Sequence, residues 1–538
     1  MAIFKTLAFA LSLATAALAA TNGTTPMQIR LAYAGPPGMM VSWNTYEKLD
    51  SPTVYYGAYV SPHCLGLRRP LTDQRAASEQ NSLTHSASSS VSVTYQTSTT
   101  YNNHVKISGL RPNTKYFYNL EYTNTTTPYS FSTPRVAGDH TPYVTAVVVD
   151  LGTMGRDGLT TFVGKGAASP LAPGETNTIQ SLQNFQDQYE FLMHDGDIAY
   201  ADYWLKEEIQ GFLANTTIAE GAAVYERILN DFYDQMTEVT SLKPYMVGPG
   251  NHEANCDNGG TKDKAKNISY TVDICMPGQT NFTGYRNHFR MPSAESGGVE
   301  NFWYSYDYGM THYVQIDTET DLGHGFIAPD EPGGPEKEDS GPFALMNQQT
   351  DWLAADLAAV NRAKTPWIVV AGHRPWYISV ANASSDVCWV CKDVFEPIFL
   401  NYSVDLVLSG HVHAYERNAP MFNNQPDPNE LNNPTFPWYI TNGAAGHYDG
   451  LDTLDRPFQN YSRYAQDSAY GWSRLSFHNS THLTQDFIAS SNGTVLDSAT
   501  LYKEHKVSGE GYGNGHHGKP NWPMWPHGGP PASGGWKV

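Results

Sequence analysis

Phe191-Leu192-Met193-His194-Asp195-Gly196-Asp197-Ile198-Ala199-Tyr200 is the stretch that decides the fold. A short apolar run, read as a strand over residues 190–194, stops at a glycine turn, and beyond the turn come a carboxylate and a phenol. The same construction recurs four more times. Residues 143–149 run into Asp150-Leu151-Gly152, and residues 244–247 into Gly250-Asn251-His252-Glu253. Residues 367–371 run into Gly372-His373, and residues 404–408 into Gly410-His411-Val412-His413. Residues 313–316 supply one more apolar run, and helical stretches are expected around 178–189, 219–240 and 348–362. In the last of these Leu353, Leu357 and Val360 recur at helical spacing, which buries one face. Strands alternating with helices build an α/β sheet sandwich, and in such sheets the loops beyond the strands' C-terminal ends form the ligand crevice.

Five such loops bring Asp150, Asp197, Tyr200, Asn251, His373, His411 and His413 toward one crevice. Carboxylate, amide oxygen, phenolate and imidazole form a donor set suited to transition metals. Seven donors exceed what one tetrahedral zinc needs and suffice for two ions bridged by a shared carboxylate, the arrangement used for in-line phosphoryl displacement. A Gly-Asp after a strand, or one His-x-His, is by itself an ordinary turn or surface feature; the weight lies in five such pieces at strand ends.

Outside this region the chain changes character. From about residue 26 to 134, short β-branched and aromatic runs such as Met39-Met40-Val41-Ser42-Trp43 and Lys115-Tyr116-Phe117-Tyr118 are separated by turns, which indicates a β-sandwich. Gly109-Leu110-Arg111-Pro112-Asn113-Thr114-Lys115-Tyr116 resembles the turn before a late strand of fibronectin type III domains. Residues 82–100, rich in Ser and Thr, read as a loop and an edge strand. Residues 472–501 return to β alternation as a closing meander. The Gly/Pro/His-rich segment 506–538, which includes His516-His517, lacks the apolar content of a core. The expected division is a signal peptide over 1–19, a fibronectin type III-like domain over 20–138, a catalytic domain over 139–505 and a disordered tail over 506–538.

The leader carries Lys5, an apolar stretch from Leu7 to Ala16 and a small-x-small cleavage site at Ala17-Leu18-Ala19. Export is therefore expected, to the medium, cell wall or vacuole. Ten sequons agree with a glycosylated surface: Asn22, Asn124, Asn215, Asn267, Asn281, Asn382, Asn401, Asn460, Asn479 and Asn492. Five cysteines are too few for a disulfide-built scaffold; Cys256–Cys275 and Cys388–Cys391 are expected as local staples, with Cys64 left over. Cys388-x-x-Cys391 also reads as half a zinc site or a redox motif. The formal charge is −20, from 33 Lys and Arg against 53 Asp and Glu, which argues against nucleic acid and anionic membranes as partners. A small anionic substrate remains compatible, because bound cations invert the local field.

At the strand-end blocks the sequence resembles the metallophosphoesterases, and within them the purple acid phosphatases, most closely the larger fungal and plant-type members. The family's blocks Gly-Asp-x-x-Tyr, Gly-Asn-His-Asp/Glu, Val-x-x-His and Gly-His-x-His read here Gly196–Tyr200, Gly250–Glu253, Val370–His373 and Gly410–His413. Tyr200 is the discriminating residue, and Val149 replaces the first glycine of the Gly-Asp-x-Gly block. The resemblance implies that Asp150, Asp197, Tyr200 and His413 bind a ferric ion, and that Asp197, Asn251, His373 and His411 bind a divalent ion (Zn, Mn or Fe(II)). It implies that His252 hydrogen-bonds the phosphate or protonates the leaving alkoxide, with His194 and Arg374 as candidates behind or beside the ligands. The implied activity is hydrolysis of phosphate monoesters by direct attack of a metal-bound hydroxide. Phytate, nucleotides or diesters are alternative substrates of the same site, and a non-catalytic binding glycoprotein with a vestigial site is the alternative of another class. Plant members carry adjacent phosphate-binding histidines after the Val-x-x-His block; here Arg374-Pro375-Trp376-Tyr377 follows and no His-His is present there.

Overall fold

In the computed structural model the described residues are 22–58, 83–155, 171–209, 213, 216–254, 262–263, 268–269, 278–319, 348–380, 387–446 and 450–505. The expected leader, Cys64, Cys256, Cys275 and the tail from 506 lie outside them.

Short β-branched and aromatic strands, several of them buried along nearly their whole length, shape the N-terminal unit. Its strands are β1 (Met27–Tyr33), β2 (Met39–Thr45), β3 (Thr53–Ala58), β4 (His85–Ser88), β5 (Ser92–Val93), β6 (Tyr101–Ile107), β7 (Lys115–Leu120) and β8 (Tyr129–Ser132). They form two four-stranded antiparallel sheets, β1-β2-β6-β5 and β4-β3-β7-β8. Met39, Val41, Trp43, Val54, Val105, Ile107 and Tyr118 fill the space between them. The Ser/Thr-rich stretch supplies β4 and β5, each at a sheet edge as expected.

From residue 143 the chain builds two further sheets. β9 (Tyr143–Val148), β10 (Leu192–Asp195) and β11 (Tyr245–Gly248) run parallel, linked through the helices Thr178–Asn184 and Gly221–Thr240. A two-residue ladder, β12 (Lys262–Asp263) with β13 (Ile268–Ser269), follows. The second sheet contains β14 (Tyr304–Tyr308), β15 (Thr311–Gln315), β16 (Trp367–Ala371), β17 (Leu406–Ser409), β18 (Tyr415–Phe422), β19 (Gln425–Pro426), β20 (Trp438–Asn442) and β21 (Ser462–Gln466). Within it β15, β16, β17 and β20 are parallel. The chain then returns to the first sheet as the meander β22 (Gly471–Phe477), β23 (His482–Ala489) and β24 (Val495–Tyr502), giving the order β11-β10-β9-β22-β23-β24. The sheets meet through an aromatic layer in which Phe191 stands edge-on to Tyr313, with ring centroids 5.4 Å apart. The parallel strands of both sheets end at the same edge of the sandwich, where the five blocks lie.

The longest of the helices not expected from the sequence is Trp389–Asn401. Pro397 in its interior removes a backbone donor, which argues against a helix locally. Packing overrides this: Phe395, Ile398 and Phe399 are buried, and the Cys388 sulfur caps the first turn by accepting from the Cys391 N–H. Cys388 and Cys391 are disulfide-bonded.

The N-terminal sandwich is fastened to the wall of the second unit that carries β11. Tyr118 Oη donates to Ser241 O at 2.7 Å, and Thr240 Oγ1 donates to Ile29 O at 2.7 Å. The buried Arg30 guanidinium reaches across to His288 O through Nε at 2.7 Å while also holding Asn44 Oδ1 at 2.9 Å.

A second fastening responds to pH. His312 on β15 donates through Nδ1 to Asp307 on β14 at 2.7 Å and through Nε2 to Asp356 of the helix Gln348–Ala359 at 2.9 Å. An imidazole donating from both nitrogens is an imidazolium. Burial opposes that charge, but the two carboxylates overcome it and raise the group to about 9, above the ordinary ~6.5. The resulting stability is fully present below about pH 6.5 and is lost as pH rises through about 9, an effect on the order of a few kcal/mol. Thermal melts of wild type and His312→Gln from pH 5 to 9.5 should therefore converge at the alkaline end. Parallel curves would show that His312 carries no such charge.

Candidate metal centre

The site is assembled from five strand ends. Asp150 follows β9, Asp197 and Tyr200 follow β10, and Asn251 begins a short helix, Asn251–Ala254, after β11. His373 follows β16, and His411 and His413 follow β17. Four of these seven residues have left-handed backbones: Asp150 (φ 60°), Asp197 (φ 51°), Tyr200 (φ 53°) and His411 (φ 66°). Non-glycine residues rarely adopt this conformation, and it concentrates where surrounding structure fixes a functional geometry. Gly196 (φ +106°) explains why the turn needs glycine, since a Cβ there would come within 2.6 Å of His373 Nδ1.

The donor atoms converge. Tyr200 Oη lies 2.7 Å from Asp150 Oδ1, 3.0 Å from Asp197 Oδ2 and 2.9 Å from His413 Nε2. His373 Nε2 lies 3.1 Å from Asp197 Oδ2 and 3.0 Å from Asn251 Oδ1. His411 Nδ1 lies 2.9 Å from the same Asn251 oxygen. Asp197, His373 and His411 each offer one ligand atom, all within 4.8 Å of one another. Two overlapping groups result, one around Tyr200 and one around Asn251, and Asp197 belongs to both.

The electrostatics fit cation binding. Burial, with Asp197 alongside, raises Asp150 above the usual carboxylate range. Asp197 is pushed up by burial too, but the imidazoles of His373 and His252 hold it well below that range. Burial and the two carboxylates push the Tyr200 phenol up. Two carboxylates and a phenol in mutual contact disfavour one another's ionisation unless positive charge joins them. Carboxylate, phenol, amide and imidazole donors are those that hard and borderline metals prefer.

Around these donors the structure reveals supports that the sequence did not disclose. Glu253 accepts from the backbone N–H groups of Asp197 (2.9 Å), Ile198 (2.8 Å) and Gly250 (2.9 Å), tying the two loops together. His252 donates from its backbone N to Asp197 Oδ1 at 3.0 Å, and its Nδ1 meets Asp202 Oδ2 at 2.6 Å. His252 Nε2 is thereby turned toward the donors, 3.8 Å from Asp197 Oδ2. Asp452 N donates to His413 O at 3.0 Å, and Asp452 Oδ2 accepts from His413 N at 2.8 Å. Glu416, three residues beyond His413, accepts from Ser379 N and Oγ at 2.7 and 2.8 Å, joining the loops that bear the histidines. These partners sit up to tens of residues from the groups they hold, and each alone reads as an ordinary polar residue.

Two expected contributors are placed away from any open face. His194 is fully buried, with Nδ1 against Tyr245 Oη at 2.6 Å, and burial drives it down to about 3, so it is a neutral imidazole beneath the Asp197 turn. Arg374 is 2% exposed, with its Nε shared between the two Glu319 oxygens at 2.9 and 3.0 Å and its Nη1 3.1 Å from His411 Nε2. Arg374 thus stands in a buried ion pair with Glu319 beside His411.

Comparisons with known proteins place these features in context. Residues 26–133 match the family described as purple acid phosphatase, N-terminal domain, and residues 150–415 match the calcineurin-like phosphoesterases. Residues 436–498 match the iron/zinc purple acid phosphatase-like protein C family. Acid phosphatase A of Cryphonectria parasitica is 39% identical over 507 residues, covering 90% of this chain and 92% of its own. An acid phosphatase of Aspergillus ficuum is 32% identical over 488 residues, covering 75% and 76%. Among solved structures, purple acid phosphatase PPD1 from yellow lupin seeds superposes with a TM-score of 0.62 at 19% identity, covering 89% of this chain and 75% of that one.

Proposed function

Because the chain belongs to the purple acid phosphatase family of the metallophosphoesterases, we propose that its seven convergent donors hold two cations over which phosphate monoesters are hydrolysed. It is a dimetal phosphoesterase of the acid phosphatase class acting on small phosphate esters. Asp150, Asp197, Tyr200 and His413 are assigned to a ferric ion. Asp197, Asn251, His373 and His411 are assigned to a divalent ion, zinc, manganese or ferrous iron. The observation that carries the assignment is the position of Asp197 Oδ2, 3.0 Å from Tyr200 Oη on one side and 3.1 Å from His373 Nε2 on the other. When bound, the two cations supply Lewis acidity toward the phosphoryl oxygens and an activated water.

The chain's own residues do the rest. Glu253 and Glu416 hold the ligand loops in register with one another. Asp202 fixes the His252 ring, so that His252 Nε2 faces the substrate side and delivers a proton to the departing alkoxide. The buried Glu319–Arg374 pair backs His411 and keeps its ring from rotating.

Export with a glycosylated surface belongs to the same reading. Asn22, Asn124, Asn401, Asn460, Asn479 and Asn492 are exposed and Asn281 is half-buried, whereas Asn215, Asn267 and Asn382 fall outside the described residues. No helix among the described residues is long and apolar enough to cross a membrane.

A visible absorption spectrum with metal analysis on the same purified sample tests the assignment. About two metals per chain including iron, with a mid-visible tyrosinate-to-Fe(III) band that disappears on chelation, is the expected result. Two divalent ions without the band, in a sample shown not to be merely reduced, would remove the ferric assignment. Absence of any bound metal would overturn the dinuclear reading.

A further inference from the structure

Of the ten sequons, one differs from the rest in what stands before it. Four carry an aromatic residue two positions ahead of the asparagine: Tyr122 before Asn124, Phe399 before Asn401, Phe458 before Asn460 and Phe477 before Asn479. Phe399 and Phe477 are fully buried in the core. Phe458 is half-buried, and the Arg456 guanidinium lies over its ring, 4.3 Å from the centroid. Of the four, Tyr122 alone is exposed, at 49%. It follows β7 and opens the connection to β8. Exposure alternates along this connection: Tyr122, Asn124 and Thr126 are exposed, while Glu121, Thr123 and Thr125 are half-buried. The ring, the acceptor asparagine and the threonine that completes the sequon therefore all face solvent. The Tyr122 backbone is left-handed, with φ 62°, a conformation that glycine adopts freely and a bulky aromatic residue rarely. Its hydroxyl bonds the Glu121 carboxylate, and the exposed Tyr55 ring of β3 lies near enough to act on it.

An exposed aromatic ring held at a strained position marks a contact that the polypeptide alone does not complete. We infer that the Tyr122 ring is the platform on which the first N-acetylglucosamine of a glycan on Asn124 lies. The inference rests on the reading of an exported, glycosylated chain. Transfer of the glycan forms a bond from Asn124 Nδ2 to C1 of that sugar; the lipid pyrophosphate of the donor departs, and the amide loses one proton. The C–H face of the sugar is apolar and slightly positive, which suits the negative face of a phenol ring. Seated there, the sugar covers apolar surface that is otherwise wet and ties down the connection between β7 and β8.

The test uses the full chain secreted by a glycosylating eukaryotic host, with site occupancy read by glycopeptide mass spectrometry. Asn124 should be occupied, and Asn124→Gln and Tyr122→Ala should each lower the melting temperature by about 2–4 °C. Each removes one half of the same contact, so the double variant should lose no more than either single one. The difference between wild type and Tyr122→Ala should survive trimming of the glycans to a single sugar and vanish when they are removed entirely. Additive losses in the double variant overturn the inference, as does a Tyr122→Ala difference that persists without glycans. A bare Asn124 beside other occupied sequons overturns it too. If every sequon of the secreted protein is bare, the glycosylation reading beneath the inference falls with it, and the same mass spectra tell the two failures apart.

Discussion

Asp197→Ala is expected to leave a folded protein that keeps neither cation and has lost turnover by on the order of 10³-fold or more. The reason is geometric. One carboxylate oxygen faces both Tyr200 Oη at 3.0 Å and His373 Nε2 at 3.1 Å, so its removal subtracts a donor from both groups at once. Its other oxygen accepts from His252 N at 3.0 Å, so the proton donor is set adrift too. Asp197 has φ 51°, which alanine tolerates less well than aspartate, and this adds about 1 kcal/mol of local strain. Asp197→Asn keeps the shape and backbone preference, and separates that strain from loss of the bridge. Metal analysis and steady-state rates on both variants decide the matter. Full metal content with retained turnover in Asp197→Ala would sink the assignment.

The second large effect is expected at His252. In His252→Ala the metals should remain, since the ring is not among the seven donors, while kcat falls by roughly 10²–10⁴ for alkyl phosphates. Aryl phosphates, whose leaving groups depart without protonation, should lose far less. Asp202→Asn should reproduce a milder form, roughly 10–100-fold, because the amide still fills the space 2.6 Å from Nδ1 without fixing the ring as a carboxylate does. Equal losses on alkyl and aryl substrates would point to phosphate binding rather than proton delivery as the work of His252.

Much of the site was legible because its chemistry is written at strand ends. Asp150, Asp197, Asn251, His373 and His411 each follow an apolar run through a turn that usually contains glycine, and that pattern places them without knowledge of any contact. The layered architecture was legible too: short β-branched and aromatic runs before residue 134 and β alternation after 471 bracket a region of alternating strands and helices. What stayed hidden depends on distance in three dimensions. Asp202 meets His252 across 50 residues, Glu416 meets Ser379 across 37, and Glu319 meets Arg374 across 55. A lone carboxylate in a loop carries no mark of the partner it will find. Helix Trp389–Asn401 was hidden for another reason, since Pro397 argues locally against it and only the buried aromatic face restores it.

The strand order of the first sheet bears on how the protein comes into being. β22 lies between β9 and the rest of the meander, with Ser473 opposite Val147, so these neighbours are separated by more than three hundred residues of chain. Until the last strands have been synthesised, β9 presents an unpaired edge, which at roughly 5–20 residues per second lasts on the order of half a minute. Contacts so remote in sequence form late. Asp150 hangs from the end of β9, so its loop cannot settle before the C-terminal meander docks. Ion uptake is thus placed after release of the finished chain, and a ribosome-bound fragment ending before residue 471 should already possess all seven donors in linear order yet hold no centre.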